Sequence, residues 1–164
     1  MTVWGVVGWK NSGKTGLMER LVAEFTSRGL AVSTVKHAHH AFDIDKPGKD
    51  SYRHRTAGAR EVLIAGSERF ALMHELRGAD EPPLEELLAR LAPVDLVLVE
   101  GFKGHPHPKL EAHRAETGQP LIATEDETVR AVASDSGAGV PGRAAFALDD
   151  TRAIADFIAA ELGL

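Results

Sequence analysis

The apolar, β-branched run TVWGVV (Thr2–Val7) leads without a break into the octapeptide GWKNSGKT (Gly8–Thr15). From Lys14 onward the spacing changes, and Leu17, Leu21 and Phe25, with Met18 and Val22, form one helical stripe. A strand that ends in a glycine-rich loop and turns at once into an amphipathic helix permits few folds. The octapeptide matches the pattern G-x-x-x-x-G-K-[ST], whose backbone wraps a phosphate. Gly8 permits the sharp exit from the strand, and Gly13 lets the backbone approach a ligand without a Cβ. The N–H groups of Asn11, Ser12, Gly13, Lys14 and Thr15 then line an anion nest at the helix N-terminus. Lys14 adds a charge that reaches the β- and γ-phosphates, and the Thr15 hydroxyl can ligate Mg²⁺.

The remaining pattern supports an α/β sheet with helices on both faces. Gly29 marks the end of the first helix, and LAVSTVK (Leu30–Lys36) reads as a second strand. Asp50 or Ser51 can cap a helix running to about Ala59. EVLIAG and RFALMHEL read as strands, and Pro83 opens a helix through Leu91. VDLVLVE (Val94–Glu100) is the continuous apolar run of a central parallel strand. KLEAHR, PLIAT, RAVAS and RAAFALD are four further short strands, and RFALMHEL and KLEAHR can run antiparallel or pair separately. Asp149 or Asp150 caps a last helix carrying Ile154, Phe157, Ile158 and Leu162. The order of the sheet is not readable.

The chain has 164 residues, which fits a single nucleotide-binding domain over 1–164. Its net charge of −5 gives no overall basic field for nucleic acid. Cysteine is absent, so disulfides and thiolate metal sites are excluded. No apolar run approaches a membrane span, and the N-terminus lacks the features of a signal peptide. A cytoplasmic protein is expected.

A magnesium–phosphate site needs carboxylates at neighbouring strand ends. Glu100 ends the VDLVLVE strand and can hold the metal or polarise an attacking water. Asp45, in the loop after the second strand, is a further candidate ligand beside Thr15. Lys14 and Glu100 are therefore the candidate catalytic pair. Asp135, at the end of AVASD, can accept hydrogen bonds from the guanine N1 and N2 donors, or can sit in an ordinary turn. Lys49, Asp50 and Ser51 adjoin a helix N-terminus and form a candidate second anion or substrate site, with Lys103. His37, His39 and His40 lack the helical i, i+4 pairing of a metal helix, and no site is placed on His105 or His107.

GWKNSGKT, KHAHHAFDIDKPGKDSYRHRTAGA, LVEGFK and PKLEAHR together resemble the MobB family of molybdopterin-guanine dinucleotide biosynthesis adaptors. The resemblance spans essentially the whole chain. It implies a P-loop NTPase-like α/β fold with a mostly parallel sheet flanked by helices and some antiparallel strands. It implies a homodimer that binds GTP with Mg²⁺, hydrolyses it weakly at most, and assists the guanylyltransferase that joins GMP to molybdopterin. It places Asp45, Lys49, Asp50 and Ser51 in one family stretch, Glu100 to Lys103 in a second, and Lys109, Glu111 and Arg114 in a third. Gly16 departs from the threonine many relatives carry, and offers no hydroxyl toward the α-phosphate. Two other readings of the same loop stay open: a small-molecule kinase, and a metal-handling GTPase using the histidine-rich loop.

Overall fold

The computed structural model describes residues 1–38 and 42–164. The chain forms two compact units, one made of Met1–His37 with Leu84–Leu164 and the other of Ala38–Pro83. The larger unit is built on six strands: β1 (Thr2–Val7), β2 (Val32–Lys36), β5 (Leu96–Glu100), β6 (Lys109–His113), β7 (Val129–Ser134) and β8 (Ala144–Ala147). Their order is β2-β5-β1-β6-β7-β8, and every neighbouring pair is parallel. In the smaller unit β3 (Glu61–Ala65) and β4 (Phe70–His74) pair antiparallel with each other. The mostly parallel α/β architecture and the separate antiparallel pair agree with the sequence expectation. KLEAHR, open to antiparallel pairing on sequence, runs parallel to β1.

Helix α1 (Lys14–Ser27) and the last helix, α4 (Thr151–Leu162), cover one face of the sheet. Leu17, Leu21 and Phe25 of α1 and Ile154 and Ile158 of α4 pack with Trp4, Val6, Leu98, Leu110 and Ala133. Arg28 ties the two helices together, pairing with Glu24 at 2.8 Å and with Asp156 at 2.7 Å. On the other face Leu84 of helix α3 (Leu84–Ala89) packs on Val97 and Val99. The short helix α2 (Asp50–Thr56) belongs to the smaller unit.

Three sequence expectations need correction. PLIAT is not a strand: Ile122–Thr124 form a 3₁₀ turn. The cause is Glu111, whose buried carboxylate accepts the N–H groups of Ile122 at 2.9 Å and Ala123 at 2.8 Å. Two parallel neighbours need a crossover, and here two 3₁₀ turns, Ala115–Thr117 and Ile122–Thr124, serve instead of a helix. Neither Asp50 nor Ser51 caps α2; Lys49 holds the N-cap position without a side-chain bond. Helix α3 ends at Ala89 rather than Leu91.

One face of β6 is polar and buried. Lys109, Glu111 and His113 alternate with the apolar Leu110 and Ala112. Each bonds to the segments that flank the strand. The fully buried Lys109 ammonium donates to the His105 carbonyl at 2.5 Å and to Thr128 Oγ1, and faces Asp126 at 3.5 Å. His113 Nε2 lies 3.2 Å from the Gln119 carbonyl. Buried polar groups are tolerable only when satisfied, so these bonds fix the path of the crossover.

Gly5 lies beside this stripe. A Cβ there would collide with the His107 ring and would come within 2.8 Å of Lys109 Cβ. Gly5→Ala is therefore expected to destabilise the protein by about 1–3 kcal/mol, as overpacking of a closed core does, measured by urea unfolding.

Candidate functional site

The loop between β1 and α1 has the backbone of an anion nest. Gly8, Asn11 and Gly13 adopt positive φ angles of 152°, 65° and 91°. Gly8 is a close-approach position, where a Cβ would strike the Ala112 carbonyl and the Ser12 hydroxyl. Ser12 Oγ is buried and has no hydrogen-bond partner among the described residues. Gly13 precedes Lys14, and its carbonyl accepts the first helical bond, from Leu17 at 3.0 Å. Successive N–H groups thus converge at the positive end of α1.

Lys14 curls back across the loop. Its ammonium donates to the Trp9 carbonyl at 2.7 Å and the Gly8 carbonyl at 3.1 Å. Burial lowers its pKa; Glu100 opposes the shift, while Lys103 and Lys36 add to it. Three lysines therefore share one neighbourhood, a local positive field on a chain that is acidic overall.

Parallel pairing brings the end of β5 beside the loop, with Val6 opposite Glu100. The Thr15 hydroxyl donates to Glu100 Oε1 at 3.2 Å, and Lys36 Nζ stands 3.8 Å from the same oxygen. A hydroxyl and a nearly buried carboxylate side by side form a pair of hard oxygen donors of the kind Mg²⁺ takes. Next to Glu100 the His37 ring stacks on Phe102, with centroids 4.6 Å apart.

Other candidates are placed differently. Asp45 lies in the smaller unit, where its carboxylate accepts from Ser51 Oγ at 2.8 Å and from Arg55 Nε at 3.3 Å. Arg55 also binds Asp43 at 2.8 Å and Glu75 at 2.9 Å, and these carboxylates raise its pKa. Ser51 is thus held by Asp45, while Lys49 and Asp50 are exposed. Asp135 ends just beyond β7, exposed, with Oδ1 accepting the Ala115 N–H at 2.9 Å. Gly16 has open space beside it; a Cβ would meet only Arg20 Nη1, at 3.6 Å. Lys103 stacks its ammonium 4.0 Å from the centre of the Trp9 ring, and burial lowers its pKa. His39 and His40 lie outside the described residues. Among the described residues no three His, Asp or Glu side chains form a metal cluster, and no helix is long and apolar enough to cross a membrane.

The resemblance places Arg114 in a family stretch but not at the site, yet its Nε lies 3.2 Å from where a Cβ on Gly13 would stand. Its position directly after β6, the strand next to β1, is the signal that could have found it.

The family model described as molybdopterin guanine dinucleotide synthesis protein B, MobB, matches residues 3–135. The chain belongs to the MobB family. It is 44% identical to the molybdopterin-guanine dinucleotide biosynthesis adapter protein of Haemophilus influenzae over 134 residues, 80% of this chain and 73% of that one. It is 40% identical to the adapter protein of the same description from Escherichia coli over 156 residues, 92% of this chain and 87% of that one. The crystal structure of a MobB homolog from Bacillus stearothermophilus superposes with a TM-score of 0.74 at 32% identity, covering 99% of both chains. The MobB resemblance carried by GWKNSGKT, LVEGFK and PKLEAHR thus extends to the whole fold.

A second titratable cluster lies at the other end of β6. His105 Nε2 meets Glu85 Oε1 at 2.8 Å, and His105 Nδ1 meets His107 Nδ1 at 2.8 Å. With Glu85 accepting from Nε2, His105 Nδ1 is free to accept from His107. The second nitrogen of His107 is buried without a partner among the described residues. Burial pushes the His107 pKa down to about 4, aided by the charges of Lys109 and His105 and opposed by Asp126. The unfolded chain takes that proton near 6.5, so between about pH 6.5 and 4 acid favours unfolding. His107→Gln is expected to remove roughly 2–3 kcal/mol of the stability lost across that window, read from urea melts at a series of pH values.

Proposed function

We propose that this chain is a GTP-binding adapter of molybdopterin-guanine dinucleotide biosynthesis, assisting the guanylyltransferase that attaches GMP to molybdopterin. The observation that carries the nucleotide part is the convergence of the loop N–H groups, the Lys14 ammonium and the Thr15–Glu100 pair at one end of the sheet. The adapter part is supported by the names of the Haemophilus and Escherichia relatives.

The residues divide the work by chemistry. The nest from Asn11 to Thr15 binds the phosphates, and Lys14 leaves its loop carbonyls to bridge the β- and γ-oxygens. Thr15 and Glu100 would hold Mg²⁺, which would supply charge neutralisation at the phosphates. The Glu100 carboxylate already faces Thr15 and Lys36, a placement that suits holding a metal, and GTP hydrolysis is slow at most. Asp135, exposed at the end of β7, favours guanine over adenine by accepting from N1–H and the 2-amino group.

A homodimer is supported by the smaller unit. Leu63, Ile64, Phe70 and Leu72 of the β3–β4 pair are exposed, an apolar surface suited to a second copy. The cytoplasm would be the setting of such a reaction.

Titration calorimetry with GTP and Mg²⁺ tests the nucleotide reading. Lys14→Ala is expected to weaken GTP by about a hundredfold, the scale of losing a charge-assisted phosphate contact; unchanged affinity would refute the site. Gly16→Thr, which has room for its side chain, is expected to tighten GTP several-fold through a new hydroxyl contact, and a loss of affinity would contradict this.

A further inference from the structure

Trp9 and Lys10 of the Gly8–Thr15 loop are not used by the nucleotide reading, and they border a second cleft at its edge. Trp9, Lys10 and Asn11, its first arc, face Glu116, Thr117 and Gln119 of the crossover after β6 across a cleft of about 660 Å³. That volume suits a bicyclic ligand with a substituent. Trp9 organises the cleft. Its indole N–H donates to the Pro120 carbonyl at 2.8 Å, and the Lys103 ammonium stands 4.0 Å from its ring centre. The ring is held before any ligand arrives, so stacking on it costs little ordering entropy. Pro120 leads into the 3₁₀ turn whose Ala123 packs with Val7, on the face of the sheet opposite α1. The cleft therefore borders the side of the loop turned away from α1, whereas the nest opens at the N-terminus of that helix.

The geometry points to a second small-molecule site here, for a flat 2-amino-4-oxo nitrogen heterocycle carrying an anionic tail. This assignment rests on the reading of the loop as a nucleotide site, and it supplies that site with a neighbour. The Trp9 ring offers a stacking platform. Glu116 is exposed, pairs with Arg114 at 3.7 Å, and can accept a paired N–H and amino edge. Thr117 and Gln119 can meet the remaining ring nitrogens and the oxo group. Lys10, exposed at the mouth, offers a donor to an anion. Pterins and guanine present the same hydrogen-bonding edge, and competition with GTP separates them.

The test is calorimetry on the full chain with pterin-6-carboxylate, alone and after saturation with GTP and Mg²⁺. The pterin is expected to bind in both conditions. Trp9→Leu and Glu116→Gln should each weaken it about tenfold, the scale of losing one ring stack or one carboxylate contact, while Glu116→Gln leaves GTP affinity unchanged. Displacement of the pterin by GTP would make the cleft the seat of guanine and overturn the proposal. So would the absence of pterin binding to a chain that binds GTP, or undiminished pterin binding by both variants. Failure of the wild-type chain to bind GTP would instead overturn the nucleotide reading beneath it.

Discussion

The central place of β1 in a parallel sheet governs everything else in the larger unit. With β5 on one side and β6 on the other, its carboxyl end is flanked by two strand ends. All three chains leave the sheet at the same edge, so the loop at Gly8–Thr15, the carboxylate of Glu100 and the guanidinium of Arg114 gather there without any long-range design of their own. The topology also explains the burial of Trp4, Val6, Leu98 and Leu110 beneath α1. That packing anchors the helix whose N-terminus forms the nest.

The second organising feature is the polar face of β6. Lys109, Glu111 and His113 are buried, and each would be costly if left unpaired. Their partners lie in the segment from His105 to Thr128, which passes beside the Gly8–Thr15 loop. A crossover without a helix is held in one conformation by side-chain bonds rather than by backbone periodicity. The same bonds set Pro120 where Trp9 can donate to it, so the wall of the outer cleft follows from charges buried in the sheet.

How much of this was legible depended on whether a feature is local. The run TVWGVV, the octapeptide and the stripe Leu17, Leu21, Phe25 carry their own turn chemistry and periodicity, and the strand–loop–helix reading holds. Glu100 sits beside Thr15 as its place at a strand end suggested. PLIAT misled because an apolar, β-branched pentapeptide carries no sign that a distant carboxylate will cap its N–H groups into a turn. Ser51 misled for the same reason: its hydroxyl has Asp45 as partner, not its own helix. Gly5 and His107 lie 102 positions apart, and nothing in either neighbourhood announces that one must lack a side chain to admit the other.

The sequence by itself determined the family, the mostly parallel α/β class, and the strand–loop–helix unit around Gly8–Thr15, because those rest on spacing, glycine placement and periodicity within short stretches. Only the tertiary structure decided the strand order, the partnership of Thr15, Lys36 and Glu100, the approach of Arg114 to Gly13, and the fixing of Trp9 by Pro120 and Lys103. Those depend on which strand ends become neighbours and on which buried polar groups must find partners. Both are settled by burial across the whole chain.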